Sequence, residues 1–169
     1  MAIHKPRPFF HMLPDDVAIW ERFLAHYEDE FEEYRYDVLV GPRVDLSEVE
    51  LEEPLRELAE RLLAIRIDVV ARRGHEHWLV EVKPEAGLSA LGQILAYEFY
   101  YQRLLSPGEF LGKMVVTNYL RHYMGPLFDH YGIWVLILPD EKDQPIRLIP
   151  PSRVEYRERP LKEVKGVPS

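Results

Sequence analysis

The chain has 169 residues and a formal net charge of −8, and 47% of its residues are hydrophobic and 30% charged. This composition predicts one globular domain with a buried core and excludes a disordered acidic tail. The absence of cysteine excludes disulfides and thiol nucleophiles. The longest apolar run, Ile133 to Leu138, is far shorter than the ~20 residues that cross a bilayer. With no apolar segment near the N-terminus, we expect a cytoplasmic protein with no membrane contact.

Charge is distributed unevenly along the chain. From Asp15 to Glu60, sixteen acidic residues stand against four arginines, whereas from Lys142 to the end seven Lys or Arg residues stand against four acids. A nucleic acid could therefore approach the second region although the net charge is negative. The acidic N-terminal half could instead bind a basic protein partner.

Apolar spacing and turn residues predict the elements in chain order. They are a helix over 15–33, a strand over 34–40, an acidic insert at about 43–64 with a helix from Pro54, a hairpin of strands 65–72 and 77–83, a helix over 88–105, a strand over 113–117, a helix over 120–130 and a buried strand over 133–138. This order predicts an α/β domain with a mixed sheet over residues 1–140. Residues 141–169 form a basic, proline-containing extension.

The hairpin brings charged residues together. Strand side chains alternate between two faces, so the odd-numbered residues of Ile65–Ala71 should share one face and Asp68 should point to the other. In the next strand, Glu81 and Lys83 share the face opposite their valine neighbours. Burying two carboxylates is costly unless they pair or bind an ion, and carboxylates suit Mg²⁺ or Mn²⁺. Such a cation with a nearby lysine predicts hydrolysis of a phosphodiester bond.

At these residues the sequence resembles the PD-(D/E)XK nuclease superfamily. Its signature is an acid on one strand and (D/E)-x-K on the next, which here are Asp68 and Glu81-Val82-Lys83, with the acids thirteen residues apart. RecB-type members add Q-x-x-x-Y on the following helix, where this chain has Gln93 and Tyr97. The resemblance covers roughly residues 15–138. It implies a restriction-endonuclease-like three-layer α/β/α core with a central mixed sheet.

The resemblance also implies roles for individual residues. Asp68 and Glu81 would bind Mg²⁺ or Mn²⁺ together with the carbonyl of Val82. Lys83 would be catalytic, and Gln93 and Tyr97 would position the substrate or the groups of the active site. The family often has a further acid on the first helix, for which Glu21 is the preferred residue; Glu28, Glu30, Glu57 and Glu60 are alternatives.

The expected function is therefore a metal-dependent endo- or exonuclease that acts on DNA. Candidate phosphate contacts are Arg66, Arg72, Arg73, Arg121 and the basic C-terminal residues. The alternative is a catalytically inactive nuclease-fold protein that acts as a nucleic-acid-binding or protein-binding subunit. A homodimer would be expected if both strands of a duplex are cut.

Two further patterns have a structural and a functional interpretation. The motif His75-Glu76-His77 is interpreted as a solvated hairpin tip, because two imidazoles without a third ligand make a poor zinc site. The aromatic stretch 97–101 could stack on nucleobases, but aromatic residues at helical spacing usually pack in the core. We therefore expect Phe99 and part of the stretch in the core, with one or two rings at the surface.

Overall fold

The computed structural model describes residues 12–154 and 159–164. The prediction of a mixed α/β domain is confirmed. The helices are α1 (Pro14–Tyr27), α2 (Glu53–Leu63), α3 (Leu88–Tyr101) and α4 (Gly125–His130), and the strands are β1 (Glu33–Val40), β2 (Ile65–Arg73), β3 (Glu76–Ala86), β4 (Phe110–Leu120), β5 (Trp134–Ile137) and β6 (Arg147–Ile149). Within the described ranges, no helix has the length and apolar character needed to cross a membrane.

The six strands form one mixed sheet in the order in which they occur in the chain. Strand β2 is antiparallel to both β1 and β3, whereas β3, β4 and β5 run parallel to one another, and β6 is antiparallel to β5. Parallel neighbours need crossover connections, which α3 and α4 supply. The parallel strands β3 and β4 therefore end at the same edge of the sheet.

Helices cover both faces of the sheet and create two apolar layers. The first lies between α1 and the sheet and includes Trp20, Phe23 and Trp78, all fully buried. The second lies under α3 and α4 and includes Ile94 and Phe128. Because the central strands are covered on both faces, a charged residue among them must find a partner inside the protein.

The first helix is shorter than predicted. It ends at Tyr27 and a single 3₁₀ turn follows, whereas the sequence predicted a helix to about residue 33. Three consecutive acids, Glu28–Glu30, are unfavourable at the negative end of a helix dipole. The Tyr34 hydroxyl donates a hydrogen bond to the carbonyl oxygen of Tyr27 over 3.1 Å. This bond gives a partner to a carbonyl at the helix end that has none within the helix.

Strand β3 continues through Pro84 to Ala86, so the predicted end of this strand at residue 83 is wrong. Its pairing with β2 stops at Val80, while its parallel pairing with β4 continues to Ala86. Beyond Val80 one side of β3 is therefore a free edge, where the missing N–H of a proline costs no ladder hydrogen bond. The longer strand extends the sheet edge beyond Lys83.

The apolar side chains of β2 change face halfway along the strand. Ile67 belongs to the layer under α3, whereas Val69 belongs to the layer under α1. The prediction that odd-numbered residues of 65–71 share one face is therefore wrong. The register of β1 on β2 is the same on both sides of this point, where Asp37 has a φ of 53° opposite Asp68. A residue with a left-handed φ interrupts the alternation of side chains along its strand. The change of face in β2 therefore lies opposite an interruption in β1.

The predicted acidic insert is largely exposed, whereas described residues of the predicted C-terminal extension pack against the sheet. Helix α2 begins next to Pro54 as predicted, but Leu55, Leu58 and Leu63 are at least half exposed. Residues 141–169 supply β6, and Leu161 is fully buried in the α1 layer. Residues 1–11, 155–158 and 165–169 lie outside the described residues, so part of the predicted basic extension does too.

Candidate functional site

Asp68 lies where β2 separates from β3. The last residues paired between these strands are Val69 and Val80. Beyond them, the backbone N–H of Val82 donates to Oδ2 of Asp68 over 2.9 Å, so a carboxylate replaces the carbonyl that a paired strand would offer. A buried backbone donor must be satisfied, and this bond keeps the Asp68 carboxyl group beside β3.

Glu81 is the most deeply buried charged residue of the group, with 1% of its surface exposed. The hydroxyl of Tyr97 on α3 donates to its Oε2 over 2.7 Å. The Nζ atom of Lys83 lies 3.6 Å from its Oε1, and the lysine side chain is 30% exposed. The structure thus brings together Asp68, Glu81, Lys83 and Tyr97, four of the residues singled out in the sequence.

The two carboxyl groups are close enough that each changes the pKa of the other. Burial raises the pKa of Asp68 to about 6, against the opposing effect of the Val82 N–H. Burial, reinforced by the neighbouring charge of Asp68, raises the pKa of Glu81 well above its usual value. Two adjacent carboxylates in a dry environment repel each other, and this repulsion adds to the effect of burial on both pKa values.

Asp16, rather than Glu21, is the acid that α1 directs toward this group. The Asp16 carboxylate contributes to the raised pKa of Asp68, although burial contributes most. Glu21 is exposed and lies five residues further along α1, which corresponds to a rotation of roughly 140° about the helix axis. Asp16 also accepts a hydrogen bond from the N–H of Leu13 at the start of the helix.

The alternative acids lie elsewhere. Glu30 is 3.6 Å from the Arg73 guanidinium at the hairpin end of the sheet. Glu28 belongs to the turn after α1, and Glu57 and Glu60 are exposed on α2.

Gln93 lies on α3, one turn before Tyr97, as the i, i+4 spacing predicted. Its side-chain oxygen is buried and has no hydrogen-bond partner among the described residues. A buried amide oxygen without a donor is costly, at about 1–3 kcal/mol, which makes it a natural acceptor for a water or a ligand group.

The four candidate phosphate-binding arginines are all engaged with carboxylates. The Nε of Arg121, just beyond the end of β4, lies 2.8 Å from Oε1 of Glu85. The others are the Arg66–Asp37 pair at 2.8 Å, the Arg72–Glu33 pair at 3.3 Å and the Arg73–Glu76 pair at 2.7 Å. Arg72 and Arg73 lie at the hairpin end of β2, four and five residues from Asp68 and so roughly 13–17 Å away.

The hairpin motif is less solvated than predicted. His77 is buried, its Nδ1 lies 2.8 Å from the hydroxyl oxygen of Tyr101, and its Nε2 lies 3.2 Å from Oε1 of Glu109. Glu76 is also buried and pairs with Arg73. The interpretation as a solvated tip is therefore wrong for these two residues. In the aromatic stretch, Tyr97 and Tyr101 are core residues, whereas Phe99 is half exposed, so the prediction that Phe99 lies in the core is wrong.

The carboxyl pair fits a hard divalent cation. Within residues 12–154 and 159–164, no three or more His, Cys, Asp or Glu side chains converge as a ready metal site. Mg²⁺, however, often takes only one or two protein carboxylates and keeps several waters. A cation bound by Asp68 and Glu81 would offset the repulsion between the two buried carboxylates. No family model, curated protein or solved structure matches the chain.

Proposed function

We propose that this protein is a metal-dependent deoxyribonuclease of the PD-(D/E)XK type with a restriction-endonuclease-like core. The observation that carries the proposal is the buried Asp68–Glu81 pair at the point where two strands separate, held by the Val82 N–H and the Tyr97 hydroxyl. A buried carboxyl pair with raised pKa values is expensive to keep for stability alone, and such pairs are found preferentially at functional sites.

Asp68 and Glu81 would hold Mg²⁺ or Mn²⁺, which when bound would polarise a phosphodiester oxygen and acidify an attacking water. The Tyr97 hydroxyl fixes one oxygen of Glu81 and leaves the other toward Lys83. The Lys83 ammonium, partly open to solvent, would stabilise the negative charge that develops on the phosphate. Its position thus supports a direct role in the reaction.

Asp16 and Gln93 complete the proposed site. The Asp16 carboxylate acts on both Asp68 and Lys83, so it can help to orient the lysine and to attract a cation. The buried side-chain oxygen of Gln93 would accept a hydrogen bond from a water or from the substrate. Val82 contributes its N–H to Asp68, and its carbonyl is a further candidate ligand.

The test is incubation of the purified protein with single-stranded and duplex DNA in Mg²⁺, in Mn²⁺ and in EDTA. Wild type should cleave only with a divalent cation, and Lys83→Ala should not cleave. Lys142→Ala is the matched control, because Lys142 is an exposed lysine outside the sheet. Equal activity of Lys83→Ala and wild type would remove Lys83 from the mechanism, and no cleavage by wild type in any buffer would contradict the nuclease proposal.

Helix α2 favours a second candidate, a nuclease-fold subunit that binds a partner and has no catalytic activity. Leu55 and Leu58 are at least half exposed on this helix, beside the acidic residues Glu57 and Glu60. An exposed apolar stripe with negative flanks is typical of a surface that binds a basic partner. Under this candidate, Mn²⁺ would leave the melting temperature unchanged and DNA would remain uncut.

A further inference from the structure

A group of exposed aromatic and basic side chains lies beside the candidate site. Tyr119 is 57% exposed at the end of β4, and Tyr123 is 43% exposed in the turn that follows. Arg121 lies between them in the sequence, and its side chain is 47% exposed. We call Tyr119, Arg121 and Tyr123 the tyrosine platform.

Strand pairing determines where the platform lies. In the parallel ladder, Lys83 pairs with Thr117 and Glu85 pairs with Tyr119. Tyr119 is therefore one strand away from Lys83 and two residues further along, at a Cα distance of roughly 8 Å. The ladder between β4 and β5 ends at Thr117, so no neighbouring strand covers Tyr119 on that side.

The platform is held in place at both ends. The N–H of Arg121 donates to the carbonyl oxygen of Ala86 over 3.3 Å, which ties the turn to the end of β3. The Arg121 guanidinium is paired with Glu85, at 2.8 Å for Nε. The N–H of Met124 then closes the turn on the carbonyl oxygen of Arg121, and Met124 is fully buried. The two tyrosine rings thus project from an anchored segment.

Charge favours stacking over phosphate binding here. The protein carries a net charge of −8, and the four candidate arginines near the sheet are each paired with a carboxylate. Phosphate contacts would have to compete with those carboxylates. Stacking of a base on a tyrosine ring needs no net positive charge and contributes about 1–3 kcal/mol per base.

We propose that the tyrosine platform stacks on unpaired bases of a DNA substrate next to the scissile phosphate, so that the substrate is single-stranded at this point. This inference rests on the proposed nuclease function. The faces of bases inside a duplex are covered by their neighbours, so only unpaired or terminal bases can stack on Tyr119 and Tyr123.

The test measures binding by fluorescence anisotropy in Ca²⁺ with a labelled oligothymidylate and an abasic oligomer of equal length. Wild type should bind the oligothymidylate about tenfold more tightly, and Tyr119→Ala and Tyr123→Ala should each lose most of that preference. Tyr119→Phe keeps the ring and should keep the preference. Tyr131→Ala is the matched control, because Tyr131 is 41% exposed but lies beside Lys113, toward the other end of β4.

The outcomes separate this inference from the proposed function. Equal binding of both oligomers by wild type, or an unchanged preference in both alanine variants, would overturn the platform. If wild type still cleaves DNA with Mg²⁺ in that case, the nuclease proposal stands. If wild type neither binds nor cleaves any DNA, both fail. A steep loss of binding with added salt that is the same for both oligomers would also contradict stacking, because it indicates phosphate contacts.

Discussion

Asp68→Asn should make the metal-free protein more stable while it abolishes the nuclease activity. The substitution removes one of two adjacent buried charges. An asparagine amide can still accept the hydrogen bond from the Val82 N–H through its oxygen, and its NH₂ group can donate to Glu81. The local geometry is therefore kept, whereas the repulsion between the carboxylates is lost.

The size of the effect follows from the pKa of Asp68, which burial raises from 3.8 to about 6. Between these two values the native state binds more protons than the unfolded chain, so the free energy of unfolding falls as the pH rises through that window. About two pKa units correspond to about 3 kcal/mol, and the loss is complete above about pH 6. For a chain of this size, recovering all of it would raise the melting temperature by up to ~10 °C.

Thermal melts by circular dichroism in EDTA, at about pH 5 and about pH 8, measure this effect. The gain of Asp68→Asn over wild type should be larger at about pH 8, because wild type then carries the full penalty. Mn²⁺ should stabilise wild type and leave Asp68→Asn unchanged. Glu50→Gln is the control, because Glu50 is exposed in the loop before α2, and its effect should be within about 0.5 kcal/mol.

The reasoning would be refuted if Asp68→Asn melted at or below the temperature of wild type at about pH 8. That result would mean that the buried carboxyl pair costs the fold nothing, and burial could not then be the cause of the raised pKa.

Three further substitutions test other contacts. Lys83→Met removes the ammonium 3.6 Å from Glu81, so cleavage should fall to background while circular dichroism shows an intact fold; retained cleavage would exclude a catalytic role. Tyr97→Phe removes the 2.7 Å hydrogen bond to Glu81 and should cost about 1–3 kcal/mol in urea unfolding, and no loss would mean that another donor replaces the hydroxyl. Gly112→Ala should cost at least about 1–3 kcal/mol, because its Cβ would lie 2.4 Å from a buried indole ring. Gly92→Ala, with no atom within 4 Å of its new Cβ, should gain about 0.5–1 kcal/mol in α3, and equal effects of the two alanines would contradict this account.

Much of the candidate site could be predicted because it depends on local periodicity. Glu81 and Lys83 are two residues apart on one strand, and Gln93 and Tyr97 are one turn apart on one helix, so both pairs share a face in any packing. The tight turn at Gly74 then brings Asp68 alongside β3. These relations need no knowledge of the tertiary structure.

Other features could not be predicted because they depend on contacts between distant elements. Asp16 has the sequence signature of a helix cap, and only the packing of α1 on the sheet brings it near Asp68. The change of face in β2 occurs opposite a left-handed residue, Asp37, in the neighbouring strand, which the pattern of β2 alone does not reveal. Burial of His77 depends on Tyr101 and Glu109, which lie far along the chain.

The position of the tryptophans has a consequence for spectroscopy. All three tryptophans of the chain, Trp20, Trp78 and Trp134, lie in the layer between α1 and the sheet. The opposite layer, which includes Tyr97 and Tyr101, contains tyrosine but no tryptophan among its described residues. Emission excited at the red edge of the absorption band therefore reports on one side of the sheet alone. If the α3 layer loosens before the α1 layer, circular dichroism will detect the change while the indole emission maximum stays constant, so an unfolding study of this protein needs both signals.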